Sequence, residues 1–246
     1  MKAMILAAGL GTRLRPLTDD RPKALVEIAG RTLLEITLSR LRGFGVREVI
    51  INVHHRAEMI IEYLKKNANF GMEIEISREE ILLDTGGGLK KAAYFFQEDS
   101  DEKPFIVHNV DVISTIDLGK MVRSHAEGQA LATLAVQDRE ASRYLLFDRE
   151  LQLCGRRVGR ETKVEVVGSA KEQGLAFCGI HVISPGFLAL MIEEGVFSII
   201  GAYLRLAGEG EKIVGFRADE YYWRDLGKPE NVKQAARDLE QKVLVQ

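Results

Sequence analysis

Short apolar runs alternate with amphipathic helical stretches along most of the chain. Residues 3–8 form a continuous apolar run that ends at Gly9, the pattern of a strand buried on both faces. Between Leu33 and Phe44, apolar residues at 33, 34, 38, 41 and 44 fall on one helix face, and Gly45 closes that helix. Residues 48–53 are rich in β-branched side chains and predict a strand; a helical pattern through Ile60, Ile61 and Leu64 follows to about Lys66. Residues 72–76 alternate like a strand, and Gly86, Gly87 and Gly88 precede a helix expected to run to about Phe96. Residues 104–108 read as a strand, 117–127 as a helix and 130–136 as the next strand. This β-α-β-α order calls for parallel strands joined by right-handed crossovers. The expected fold is α/β: a three-layer α/β/α sandwich around a mostly parallel, Rossmann-like sheet.

The rhythm changes after Val136. Residues 144–147 and 151–153 flank Asp148-Arg149-Glu150 as a hairpin, and 155–174 is polar and glycine-rich, a long loop or an extra strand pair. Residues 175–183 return to strand character, and Ser184-Pro185 suits a helix start, with Ser as N-cap. Two helices, a strand near 212–217 and a final amphipathic helix from about Pro229 complete the chain. No repeat or linker interrupts it, so residues 1–246 are expected to form a single domain.

Composition narrows the class. With 46% hydrophobic and 28% charged residues the chain is neither disordered nor membrane-embedded in character. No stretch approaches the ~18 uninterrupted apolar residues of a membrane span. Lys plus Arg number 34 against 36 Asp plus Glu, a net charge of −2, so nothing in the bulk charge attracts nucleic acid or anionic lipid. Any phosphate chemistry must rest on a local basic cluster. Cys154 and Cys178 are too few and too far apart for a disulfide scaffold or zinc ribbon, which fits a reducing cytoplasm. The short apolar opening is followed by Arg13, Arg15 and Arg21 where a leader would be cleaved, so it reads as a strand and the expected location is cytoplasmic.

The chemistry begins where the first strand ends. In parallel α/β sheets ligands bind at the carboxyl ends of strands, and Gly9-Leu10-Gly11-Thr12-Arg13 sits at such an end. Glycines let backbone N–H groups face a concavity and let a phosphate approach closely. Thr12 adds a hydroxyl and Arg13 a fork suited to phosphate oxygens; Lys23, stiffened by Pro22, adds a compact positive charge. A dinucleotide fingerprint is excluded because Leu14 stands at its third glycine, and no P-loop Gly-Lys-Ser/Thr is present. Taken alone, a Gly-x-Gly is more often an ordinary turn than a site. Asp84-Thr85-Gly86-Gly87-Gly88 is a second glycine cluster at the same edge, readable as a ligand platform or as a flexible turn before a helix. The strand ending His108-Asn109-Val110-Asp111 carries a carboxylate suited either to Mg²⁺ or to capping a turn.

The combination Leu6-x-x-Gly9-x-Gly11-x-Arg13-x-x-Pro16, then Pro22-Lys23, resembles the sugar-1-phosphate nucleotidyltransferase family. Later motifs extend the resemblance over essentially the whole chain, through Asp111 and Trp223-Arg-Asp225-Leu-Gly227-Lys-Pro-Glu230. The resemblance implies the nucleotide-diphospho-sugar transferase fold and conversion of a sugar 1-phosphate and UTP or GTP to a nucleotide-sugar and pyrophosphate. Its closest likeness is to the uridylyltransferases of N-acetylmuramate 1-phosphate and the guanylyltransferases of mannose or heptose 1-phosphate, enzymes of nucleotide-sugar and cell-envelope biosynthesis. It further implies that Arg13 and Lys23 are catalytic, and that Asp111 and Asp225, 114 positions apart, share one Mg²⁺. Leu6, Ala7, Ala8, Gly9, Gly11, Thr12, Arg13, Lys23, Thr85, Gly86, Gly87 and Asn109 would bind the nucleotide, and Gly179 the sugar. Partners would be the triphosphate and the sugar 1-phosphate alone, in a monomer or small homo-oligomer. Val110 replaces the family's usual Gly, and the family's Glu-Lys pair is not recognisable; Glu165 and Lys171 receive no role. A metal-dependent glycosyltransferase and a non-catalytic nucleotide-sugar sensor are the rival readings.

Overall fold

The computed structural model describes residues 1–97, 103–159, 165–166 and 173–240. Its spine is β1 (Lys2–Leu6), in which Ala3, Met4 and Ile5 are wholly buried. The short pair β2 (Glu27–Ile28) and β3 (Arg31–Thr32) leads into α1 (Leu33–Phe44). Thr32 caps α1 by accepting the Glu35 N–H at 3.0 Å, and Gly45, at φ 102°, ends it in the left-handed conformation that favours glycine. Next come β4 (Glu48–Val53), α2 (Ala57–Lys66), β5 (Glu73–Arg78), α3 (Asp84–Lys91) and α4 (Tyr94–Gln97). Then follow β6 (Phe105–Asn109), β7 (Val112–Ser114), α5 (Leu118–Glu127) and β8 (Ala132–Gln137). The remainder comprises β9 (Arg143–Phe147), β10 (Leu153–Val158), β11 (Glu165–Val166), β12 (Gln173–Ile183), α6 (Gly186–Ala189), α7 (Ile199–Gly208), β13 (Ile213–Arg217), β14 (Trp223–Asp225) and α8 (Pro229–Glu240).

The main sheet runs β5-β4-β1-β6-β12-β8-β13. All its strands are codirectional except β12, which is antiparallel to both β6 and β8. The sheet is therefore mostly parallel, as the element order predicts. Alternate residues of each strand face opposite sides. Ala3, Ile5, Ile51 and Ile106 pack on one face under α1, α2 and α8, while Met4, Ile50, Phe105 and Val107 pack on the other under α3 and α7. Two cores on one sheet make the three layers. The polar stretch after Gly155 continues β10, and β9, β10 and β11 form an antiparallel extension that joins β12 through its first residues. Lys171 lies outside the described residues. Among the described residues, no helix is long and apolar enough to cross a membrane.

Candidate active site

The carboxyl ends of β1, β4 and β6 open onto one cleft of ≈ 470 Å³. Leu6, Ala7, Ala8, Gly9, Lys23, Thr85 and Asn109, all expected at the nucleotide site, line it, together with Asp111, expected to hold the metal. After Leu6 the chain leaves the sheet, and buried Leu14 pins a single helical turn over Thr12–Leu14. Gly11 has φ 68°, and a Cβ there would lie 2.9 Å from Thr18 Cγ2, so the glycine closes the loop onto its own return. The Thr18 hydroxyl donates to Gly11 O at 2.9 Å. Gly9 has open space where a Cβ would stand, at the cleft itself.

Pro22 precedes a single helical turn beginning at Lys23, whose ammonium pairs with Asp111 Oδ2. Asp225 arrives from far along the chain because β14 pairs antiparallel with β7, setting Asp225 opposite Val112. The Leu226 N–H then donates to Asp111 O at 2.8 Å, so the backbones of the two aspartates lie diagonally across the ladder. The Asp225 carboxylate accepts the Gly227 N–H at 2.8 Å. Arg13 reaches this corner: a Gly227 Cβ would stand 2.7 Å from Asp225 Oδ1 and 3.1 Å from Arg13 Nη2, so the glycine leaves room for both side chains. Among the described residues Arg13 makes no hydrogen bond or ion pair, so its guanidinium is available to an anion.

Two predicted residues have a different local role. Gly86 and Gly87 do not form a turn before the helix; they lie in the first turns of α3, buried under residues 195–199. Their N–H groups donate to Phe197 O at 2.9 and 3.2 Å, and the Phe197 ring and Gly195 O fill the space where side chains would stand. On the side where a Cβ would stand, these glycines admit a neighbouring chain segment. Thr85 joins the same clasp by accepting the Ile199 N–H at 3.0 Å. Gly179 sits at the irregularity of β12 with φ 72°, where a Cβ would lie 2.7 Å from Asn109 Nδ2. It adjoins the cleft through Asn109 without lining it.

Sequence reasoning missed a buried polar relay behind the cleft. Asn52 Oδ1 accepts the Ala7 N–H at 2.7 Å, and its Nδ2 donates to Glu79 Oε1 at 2.8 Å. Glu79 Oε2 in turn accepts the Leu83 N–H at 2.9 Å. Both side chains are 3% exposed and line the cleft, so the relay ties the first loop to the loop before α3. The visible signal was a lone amide in the apolar strand Val49-Ile-Ile-Asn52-Val53. Val110, the departure from the family pattern, is 4% exposed, lines the cleft and donates its N–H to Leu6 O at 3.1 Å. His108 is buried beside the site, where desolvation pushes its pKa down to about 3, keeping the imidazole neutral.

A mostly parallel α/β sheet with a glycine loop, two free or carboxylate-paired cations and two adjacent aspartates at its carboxyl edge defines a nucleotide-handling transferase. The sequence profile of the family described as nucleotidyl transferase matches residues 2–158. The N-acetylmuramate alpha-1-phosphate uridylyltransferase of Caulobacter vibrioides is 35% identical over 241 residues, covering 93% of this chain and 92% of that protein. A mannose-1-phosphate guanyltransferase of Candida albicans is 34% identical over 94% of this chain, which spans 62% of that protein's length. The chain belongs to the nucleotidyl transferase family. Its fold is shared with HddC from Yersinia pseudotuberculosis (TM-score 0.76, 23% identity, 97% of this chain and 99% of that one). It is shared equally with a UDP-glucose pyrophosphorylase solved with UDP-glucose (TM-score 0.78, 17% identity, 98% of each chain).

Proposed function

We propose that the protein transfers a nucleotidyl group from UTP or GTP to a sugar 1-phosphate, releasing pyrophosphate, with Mg²⁺ as its cofactor. The carrying observation is the β14–β7 ladder, which brings Asp225 beside Asp111, itself paired with Lys23, at the edge of the cleft. Among the described residues no group of three or more His, Cys, Asp and Glu side chains is placed to hold a metal ion. Mg²⁺ does not need one. It takes one or two carboxylates, keeps several waters and shares phosphate oxygens, so Asp111 and Asp225 fit it. When bound, the ion would supply positive charge to the reacting phosphates.

A phosphate monoester is anionic at neutral pH, so its oxygen can attack the α-phosphorus without a general base. A new P–O bond forms, the α–β bridging P–O bond breaks, and its electron pair leaves with pyrophosphate. The chain's own task is then positioning and neutralisation. Ala7, Ala8 and Gly9 border the nucleoside; Gly11, Thr12 and Arg13 hold the triphosphate; and Lys23 meets the oxygens of the transferred phosphorus. Removing one preorganised donor of this kind costs about 100- to 1,000-fold in turnover. The test is a matrix of four nucleoside triphosphates against several sugar 1-phosphates, with and without Mg²⁺, scored by pyrophosphate release. One productive pair, dependent on Mg²⁺, is the expected result; no pyrophosphate from any pair refutes the reading.

A further inference from the structure

Two anionic substrates must meet in this reaction, yet the cations assigned so far lie on the triphosphate side. Arg139, in the loop after β8, packs on Trp223, two residues before Asp225. Its guanidinium stacks on the Trp223 ring, 3.7 Å from the centroid, and its Nη2 donates to Phe177 O at 3.0 Å. Its Nε is buried without a hydrogen-bond partner, and among the described residues no carboxylate lies within ion-pair distance. A partly desolvated guanidinium with only neutral acceptors is a poised anion receptor.

Strand geometry puts its stacking partner on the face of Asp225. Trp223 and Asp225 are two apart in β14 and therefore share one face. Arg224, between them, turns the opposite way and pairs with Asp238 of α8 at 2.9 Å. The Trp223 indole N–H donates to Cys178 O at 2.7 Å, which fixes the stacking platform next to Gly179. Burial lowers the Arg139 pKa, while the Cys178 side chain and, more weakly, the charge of Asp225 raise it.

We propose that Arg139 is the residue that receives the phosphate of the sugar 1-phosphate. The inference rests on the proposed function and adds the group that holds the second substrate. The platform also supplies a probe, because Trp223 is the chain's single tryptophan.

The experiment compares the wild-type chain with Arg139→Gln and Arg139→Lys, first by turnover on the productive substrate pair. For Arg139→Gln, KM for the sugar 1-phosphate should rise about 10- to 100-fold, as expected for loss of a hydrogen bond to a charged group. KM for the nucleoside triphosphate should stay within about twofold, and Arg139→Lys should recover part of the loss. In a parallel titration, glucose 1-phosphate or mannose 1-phosphate should change Trp223 fluorescence saturably in the wild type and not in Arg139→Gln. A triphosphate titration should still bind both. An unchanged sugar-phosphate KM, or both KM values rising together with a fallen Tm, overturns the assignment in favour of a purely structural stack. If no pair releases pyrophosphate, the proposed function fails, and the titration still decides Arg139: no saturable response to either sugar phosphate overturns its role as well.

Discussion

Replacing Asn52 by Leu, an apolar side chain of comparable size, breaks the relay behind the cleft without opening a cavity. Two buried groups lose their partners: the Ala7 N–H, held at 2.7 Å, and Glu79 Oε1, held at 2.8 Å. An unsatisfied buried donor or acceptor costs about 1–3 kcal/mol, so the pair should cost about 2–6 kcal/mol. For a chain of this size each kcal/mol lowers Tm by about 2–4 °C. Thermal unfolding followed by circular dichroism should therefore show a fall of roughly 10 °C. Gly88 offers a second way into the same bond, because a Cβ there would stand 2.8 Å from both Asn52 Nδ2 and Glu79 Oε1. Gly88→Ala should destabilise the wild type, and should cost less in the Asn52→Leu background, since the bond it disrupts is already gone. A Tm for Asn52→Leu within 2 °C of wild type, or strict additivity with Gly88→Ala, would refute the relay.

Asp111→Asn should cut pyrophosphate release by about 100- to 1,000-fold while the protein stays folded, as steady-state assays alongside circular dichroism would show. Gly179→Ala combines a left-handed backbone at φ 72° with a Cβ 2.7 Å from Asn109 Nδ2. It should cost about 1–3 kcal/mol in urea unfolding, where an unchanged midpoint would count against the strain. His181 and His125 are pushed down by burial to about 3 and about 4 from the ordinary 6.5. Unfolding lets them take up protons, so their contribution is fully present above pH 6.5. It is lost as pH falls toward those folded values, at about 1.4 kcal/mol per pH unit for each. Between pH 7 and 5, Tm should fall less steeply in His181→Gln than in wild type, and parallel profiles would exclude a contribution from this histidine.

Elements whose own side chains decide burial were legible in the sequence. The predicted bounds of the first helix, Leu33 to Phe44 with Gly45 as its stop, are those of α1, because a helix face and a glycine cap are local signals. Strand direction is not local. The run around Cys178 is equally apolar whether it lies parallel or antiparallel, so the reversal of β12 becomes visible only through its neighbours. The glycines of α3 are ambiguous in a related way. A missing Cβ announces that something comes close, but not whether it is a phosphate or Phe197. Asn52 and Glu79 escaped notice because neither matches a motif; their meaning lies in a pairing across 27 positions. Asp225 was legible only through family resemblance, since nothing in its spacing ties it to Asp111.

The β14–β7 ladder also joins two stretches that lie far apart in the chain. The profile match ends at residue 158, which includes Asp111 and leaves Asp225 out. Residues 1–158 already contain β1, β4, β5, β6 and the Gly9–Arg13 loop, but only one of the two aspartates that meet through this ladder. Under the proposed function, the site would be complete only once the strand carrying Asp225 has docked on β7.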